Sequence, residues 1–318
     1  MMMARETSLE TATCLFGHRS PSQVLFARPD WWLGAEGAFA WRRCSQCGLH
    51  FLSPRPPLER IAGYYPSHYA AYRGAIDRER WTVMRWKRRR NLQPSVAAVS
   101  DFFTQPGRLL DVGCATGNYL AEMRRRGWSV SGVEIQAEAA AYAREELNLE
   151  VFTGDLLQAP FTPASFDAIT LWDVLEHTHD PLAILRAVRR LLRPGGIVAF
   201  SIPDLRSRDA AQFGKYWIGF DAPRHLFLFE DQTIALLLQQ AELSYLGRAH
   251  FLGTYHTWVA SLQTWLNARL PANTARRLLT RLATLPVWAP LSSPYFGWLN
   301  RRGKGSVVTV FAMAPHKR

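Results

Sequence analysis

A chain of 318 residues suffices for one large α/β domain with appendages, or for two modest domains. Hydrophobic residues at 48% and charged residues at 20% exclude wholesale disorder. Lys and Arg number 38 against 26 Asp and Glu, and the net charge of +12 favours an anionic partner: a nucleic acid, a phosphorylated small molecule or an acidic membrane surface.

Residues 1–15 lack a continuous apolar core and carry Glu6 and Glu10, so no secretory signal is expected. Four cysteines do not make a disulfide scaffold in a chain of this size and point to a reducing, cytoplasmic setting. Three of them precede Pro57, in a turn-rich tract that reads as a small irregular module with short strands such as 49–52. Within it, Cys44-Ser45-Gln46-Cys47-Gly48 is half of a zinc knuckle, with Gly48 letting the backbone turn under a metal. Cys14 and His18 are the candidates for the other two ligands; a metal-free remnant is the alternative. Residues 58–105 read as helical and hold Tyr64, Tyr65 and Tyr69, with the basic run Arg85-Trp86-Lys87-Arg88-Arg89-Arg90. That run suits RNA phosphates with stacking on tryptophan, or an anionic membrane surface.

From Arg108 onward strand and helix patterns alternate as in βαβ units. Strands are expected at 109–112, 129–134, 149–153, 166–172 and 197–202, with helices at 119–126, 136–147 and 181–193. Asp180 caps the last of these with Pro181 at its first position, and Pro194-Gly195-Gly196 is expected to stop it. Asp231 is expected to cap a helix reaching Ala241. Residues 255–299 are rich in Leu and Trp and mostly helical, and 306–312 form a closing strand. The charge-free stretch 282–300 contains Pro286, Pro290 and Pro294, which argues against a single membrane-spanning helix.

The chemistry is concentrated in Leu109-Leu110-Asp111-Val112-Gly113-Cys114-Ala115-Thr116-Gly117-Asn118, a buried strand ending at a glycine turn that opens a helix. Glycines spaced as G-x-G-x-x-G would mark a dinucleotide site, but Ala115 and Asn118 stand at the second and third places. An acidic residue two places before the first glycine suits a ligand carrying a cation. Glu134 ends the next strand, about 20 residues on, where a carboxylate accepts both ribose hydroxyls. Gly154-Asp155-Leu156 follows the third strand and places a carboxylate near an adenine amino group.

Asp111 to Gly117, Glu134, Gly154-Asp155, Phe166-Asp167 and Leu192-Arg193-Pro194-Gly195-Gly196 stand in the order seen in class I SAM-dependent methyltransferases, and the sequence resembles that family. The resemblance implies an α/β, Rossmann-like seven-stranded sheet with an antiparallel last strand. It implies that Gly113 and Gly117 line the methionine end of S-adenosylmethionine (SAM), Glu134 holds the ribose, and Asp155 and Leu156 face the adenine. Asp173 completes the cofactor set. Cys114 lies in the cofactor loop and is read as packing. Ala115 stands where the family often has glycine, and its methyl is expected to be tolerated.

Trp172-Asp173-Val174-Leu175-Glu176-His177 lacks the motif of base-amino methyltransferases and the glutamate pair of protein-arginine methyltransferases. With Asp180-Pro181 it looks like the branch acting on small molecules and glycan or lipid precursors. His225, in Asp221-Ala222-Pro223-Arg224-His225, is the candidate base, by similarity to sugar C-methyltransferases; a histidine that only bonds loop backbone is the alternative reading. Tyr65 and Tyr69, as a lid, with Glu176, His177 and Arg224, are the candidate acceptor residues.

Small-molecule methyltransferases with an N-terminal zinc ribbon resemble the first tract, down to Leu52-Ser53-Pro54-Arg55-Pro56, although Gly17 stands where a second cysteine is usual. The implied organisation is a zinc-ribbon-like module at 1–57, a helical lid or linker at 58–105, a SAM-binding domain at 106–254, a helical insertion at 255–303 and the final strand of the SAM-binding domain at 304–318. The expected function is methyl transfer from SAM to a small-molecule, sugar or lipid-linked acceptor in the cytoplasm, with zinc at Cys14, His18, Cys44 and Cys47. Peripheral contact with the inner face of an anionic membrane is a further expectation, and no nucleic-acid partner is expected. The alternatives are an RNA methyltransferase and a non-catalytic SAM-binding protein.

Overall fold

A computed structural model describes residues 9–65, 82–252, 255–285 and 287–316. Strands β1 (Ser22–Arg28), β2 (Phe39–Cys44) and β3 (His50–Leu52) form an antiparallel meander. Phe39 and Trp41, two residues apart on β2, are fully buried, as the period of a strand requires. A short helix α1 (Leu58–Ile61) and a long helix α2 (Thr82–Ser100) follow. The basic run lies on α2, where Trp86 is exposed with the Arg90 guanidinium 5.2 Å from its ring centre.

The alternating region then builds β4 (Arg108–Val112), α3 (Asn118–Arg125), β5 (Ser129–Glu134), α4 (Ala137–Glu145), β6 (Glu150–Thr153), β7 (Phe166–Trp172), α5 (Pro181–Leu191) and β8 (Leu192–Pro203). After α6 (Arg208–Phe213) and β9 (Phe227–Leu228) come α7 (Asp231–Gln240), β10 (Ser244–Ala249), α8 (Tyr255–Arg269), α9 (Thr274–Ala283), α10 (Trp288–Arg301) and β11 (Val307–Met313). The large sheet has seven strands in the order β10-β11-β8-β7-β4-β5-β6. Strands β4 to β8 are parallel, whereas β11 runs antiparallel to both β8 and β10. The order reverses at β4, between β5 and β7, so their carboxyl ends open the crevice where α/β sheets bind ligands.

Three local expectations shift. Helix α5 stops at Leu191, and Pro194-Gly195-Gly196 enters β8 instead of reversing the chain. Gly195, at φ +80°, donates to the Ala314 carbonyl while Ala314 donates to Gly196, so the glycines pair with the end of the last strand. Helix α7 is capped by Glu230 in a box with Thr233, and Asp231 instead pairs with Arg206 and Arg248. The N-terminal tract is also not bounded at residue 57. β9 adds to β3 as a fourth strand of the small sheet, and Phe39, Trp41, Leu49 and Phe51 share one core with Phe220, Leu226 and Phe227.

Candidate active site

The turn after β4 is shaped by backbone that side chains resist. Gly113 and Gly117 lie at φ +74° and +77°. A Cβ on Gly113 would stand 2.6 Å from Val174 Cγ2, and one on Gly117 2.5 Å from Leu149 Cδ1. Ala115 accepts φ +47°, so its methyl is accommodated in the left-handed region. Its N–H donates to Glu134 Oε2 and that of Gln136 to Oε1, both at 2.8 Å. The carboxylate at the end of β5 is thereby fixed against the loop, with lone pairs left for further donors. Burial raises its pKa.

Asp111 is fully buried, accepts from Thr170 Oγ1 at 2.7 Å, and is pushed up to about 7 by burial, with Glu134 adding to the effect. The Tyr119 hydroxyl and Trp172 indole N–H are buried with no hydrogen bond of good geometry, and their rings meet edge to face at 5.4 Å. The buried Asp111 carboxylate, beside the Tyr119 and Trp172 donors, suits a ligand end carrying an ammonium, such as the amino-acid end of SAM.

One expected cofactor residue is placed differently. Leu156 is buried in the main core, and the exposed apolar neighbour is Leu157, because Asp155 Oδ1 accepts from Leu157 N–H at 2.8 Å and turns the chain there. Cys114 turns its sulfur under Gly132 of β5, consistent with packing. Ile135, immediately after Glu134 and 66% exposed, is an apolar surface that motif reading overlooked; a large aliphatic residue just past a strand-end carboxylate is the available clue.

At the ends of β7 and β8 a second cluster forms. Ser201 Oγ donates to Asp173 Oδ1 at 2.7 Å and accepts from the Asp173 N–H at 2.8 Å, a partner that sequence patterns do not mark. Burial raises the pKa of Asp173, and burial with Asp173 nearby raises that of Glu176 well above the carboxylate range. Glu176 Oε2 is buried without a partner. His177 and His225 pack edge to face at 4.6 Å, and burial lowers both pKa values. His225 Nδ1 lies 2.8 Å from the Gly219 carbonyl and His177 Nδ1 3.0 Å from that of Arg224. A carbonyl can only accept, so each Nδ1 carries the proton and each Nε2 keeps a lone pair. The backbone bond of His225 thus exists alongside a free basic nitrogen. Tyr65 reaches this cluster with its hydroxyl 2.9 Å from His177 Nδ1; Tyr69 lies outside the described residues.

Arg224 is not available to an acceptor. It is fully buried, and its donors go to Asp30, Asp221 and the Tyr64 carbonyl. Those bonds occupy all five guanidinium N–H groups, so it acts as a clamp that holds the loop bearing His225.

Cys14, His18, Cys44 and Cys47 do meet, with all ligand atoms within 4.8 Å of one another. Cys14 Sγ is 3.6 Å from both Cys47 Sγ and His18 Nδ1, and His18 Nδ1 is 3.8 Å from Cys44 Sγ. Tetrahedral zinc has S···S edges of about 3.8 Å and S···N edges of about 3.6 Å, so this donor set fits a closed Cys₃His site. Glu176, His177 and His225 also bring ligand atoms within 4.8 Å.

Residues 84–246, just over half of the chain, match the family described as methyltransferase domain. The ubiquinone biosynthesis O-methyltransferase of Paracidovorax citrulli is 37% identical over 105 residues, 30% of this chain and 44% of that protein. The protein of the same name from Xanthomonas oryzae pv. oryzae is 40% identical over 152 residues, 43% of this chain and 62% of that one. The chain thus spans about half the length of the curated relatives it matches. Among solved structures, a SAM-dependent methyltransferase from Archaeoglobus fulgidus aligns with a TM-score of 0.48 at 15% identity, over 77% of this chain and 96% of that one. The family match runs from α2 into β10 and encloses every strand-end residue described from Asp111 to His225; the chain belongs to the methyltransferase domain family, among the class I SAM-dependent methyltransferases.

Proposed function

We propose that this chain methylates an oxygen of a small-molecule, sugar or lipid-linked acceptor, with SAM as the donor and His225 as the base. The observation that carries the reading is His225 itself: half-buried, with its pKa lowered by desolvation, Nδ1 tied to a carbonyl and Nε2 keeping its lone pair at the carboxyl end of the sheet. The curated relatives are named for O-methylation in ubiquinone biosynthesis, which favours oxygen as the acceptor atom.

Bound on the loop after β4, SAM supplies an electrophilic methyl on a sulfonium sulfur. Gly113 and Gly117 leave room for its methionine end, and Glu134 receives the ribose hydroxyls. Asp155, with Ile135 and Leu157, faces the adenine. His225 Nε2 would take the acceptor's O–H proton, while SAM would supply the methyl to that oxygen and leave as the neutral thioether. Glu176 and His177 shape the pocket, and Tyr65 closes on it from the N-terminal side. Cys14, His18, Cys44 and Cys47 would hold zinc with four protein ligands, and the metal would serve a structural role there.

Transfer of labelled methyl groups to an acceptor pool, paired with SAM calorimetry, tests the proposal. His225→Gln is expected to bind SAM like wild type and to lose about 10²–10⁴-fold in turnover. Glu134→Ala is expected to lose SAM binding. Undiminished turnover by His225→Gln removes the base assignment, and absence of SAM binding by folded wild type removes the whole reading.

A further inference from the structure

The insertion between β10 and β11 exposes more apolar surface than a helical layer over a core needs. Helix α9 buries none of its residues, and its Leu278, Leu279 and Leu282 are 56%, 45% and 49% exposed. On α10 the exposed large apolar residues are Trp288, Leu291, Tyr295 and Trp298, spaced three, four and three apart. That spacing draws one stripe along a helix, beside the buried Phe296 and Leu299 that anchor it. The Trp288 indole N–H donates to the Leu282 carbonyl at 2.9 Å, so the two exposed faces are joined.

The charge around this surface has one sign. Residues 255–302 contain Arg269, Arg276, Arg277, Arg281, Arg301 and Arg302 and no acidic residue. We propose that α9 and α10 form a docking surface for an anionic lipid bilayer, with the leucines entering the acyl boundary. Trp288, Tyr295 and Trp298 then stand at headgroup depth, where amphipathic rings belong. The arginines reach lipid phosphates while their stems cover apolar surface.

The other occupants fit less well. A second copy would set two arginine-rich, acid-free faces against each other. Nucleic acid would satisfy the arginines but gain nothing from an aliphatic stripe. A bilayer uses both, and no described helix is long and apolar enough to cross one, so the contact is peripheral.

Flotation of the full chain with vesicles tests this independently of methyl transfer. Vesicles of equal phosphatidylcholine and phosphatidylglycerol should carry the protein upward, pure phosphatidylcholine should not, and sodium chloride should weaken the association. Leu278→Glu with Leu291→Glu should abolish it, and Arg277→Ala with Arg281→Ala should weaken it about fivefold for each arginine removed. Both variants should bind SAM as wild type does, which shows the fold intact and separates this surface from the cofactor site. No flotation with the anionic vesicles, or undiminished flotation of the glutamate variant, overturns the proposal. A concentration-dependent dimer dissolved by the glutamate substitutions, without lipid binding, gives the face to a second copy instead.

Discussion

Arg224 and Asp30, 194 positions apart, meet in a two-pronged ion pair, Nη1 to Oδ2 and Nη2 to Oδ1, each at 2.8 Å. Neither side chain reaches solvent. Burial opposes the charge of Asp30, but the guanidinium outweighs it and holds the carboxyl below its usual range. The pair ties the small N-terminal sheet to the loop that carries His225. Removing one side of such a pair strands the other, at a cost of about 3–5 kcal/mol. Arg224→Met should lower the urea midpoint accordingly, and Arg224→Lys should not restore it, since an ammonium cannot serve the five acceptors. Adding Asp30→Asn to Arg224→Met should cost less than the sum of the two. Wild-type stability in Arg224→Met would show that the clamp is idle.

Gly117 is a second sensitive point. It caps α3 at φ +77°, with Leu149 Cδ1 2.5 Å and Ala143 Cβ 3.1 Å from where a methyl would stand. Gly117→Ala is strained by the backbone and by the contact together, and should destabilise the chain by about 1–3 kcal/mol. SAM affinity should fall with it, because the loop must move to relieve the clash. Unchanged urea unfolding would contradict the placement of that loop.

The cysteine cluster predicts one equivalent of zinc on the purified protein. Cys44→Ser and Cys47→Ser should each lose the metal, and a chelator should lower the melting temperature of wild type but not of those variants. Because Phe39, Trp41 and Phe51 share a core with Phe220 and Leu226, the loss should appear in the unfolding of the whole chain, not as a separate early transition. Metal analysis showing less than a tenth of an equivalent, in roughly stoichiometric zinc, would assign the cluster to packing.

The sheet and cofactor loop were legible because their information is local: Asp111, Gly113 and Gly117 stand within seven residues, and Glu134 ends the adjacent strand. The Cys44-x-x-Cys47 half and the zinc-ribbon resemblance made the Cys14, His18, Cys44 and Cys47 set legible, although no spacing rule joins its halves. Arg224 was misread because its partner lies 194 residues away, and an arginine beside a candidate base looks like a ligand binder until Asp30 is seen. β9 went unseen because two residues carry no period. The Asp155 hydrogen bond leaves Leu157, not Leu156, exposed, and Glu230 displaces Asp231 as cap; each is a shift of one position that composition cannot resolve.

Asp111, in the candidate cofactor site, predicts a pH dependence of SAM binding. Burial, with Glu134 nearby, lifts its folded pKa from 3.8 to about 7, against the pull of Thr170. In the ligand-free protein the folded state therefore holds a proton that the unfolded state has lost. The group's contribution to stability is present below pH 3.8 and is lost as pH rises toward 7. A cation docked beside it favours the carboxylate, lowers that pKa and expels the proton. SAM affinity should therefore rise from about pH 6 to about pH 8, by up to tenfold per unit below the folded pKa, and then level off. Calorimetry in buffers of different ionisation enthalpy should register proton release near neutrality. Asp111→Asn should bind SAM more weakly with the pH dependence flattened. An affinity that stays level or falls with rising pH would place the cation away from Asp111 and require another residue to meet it.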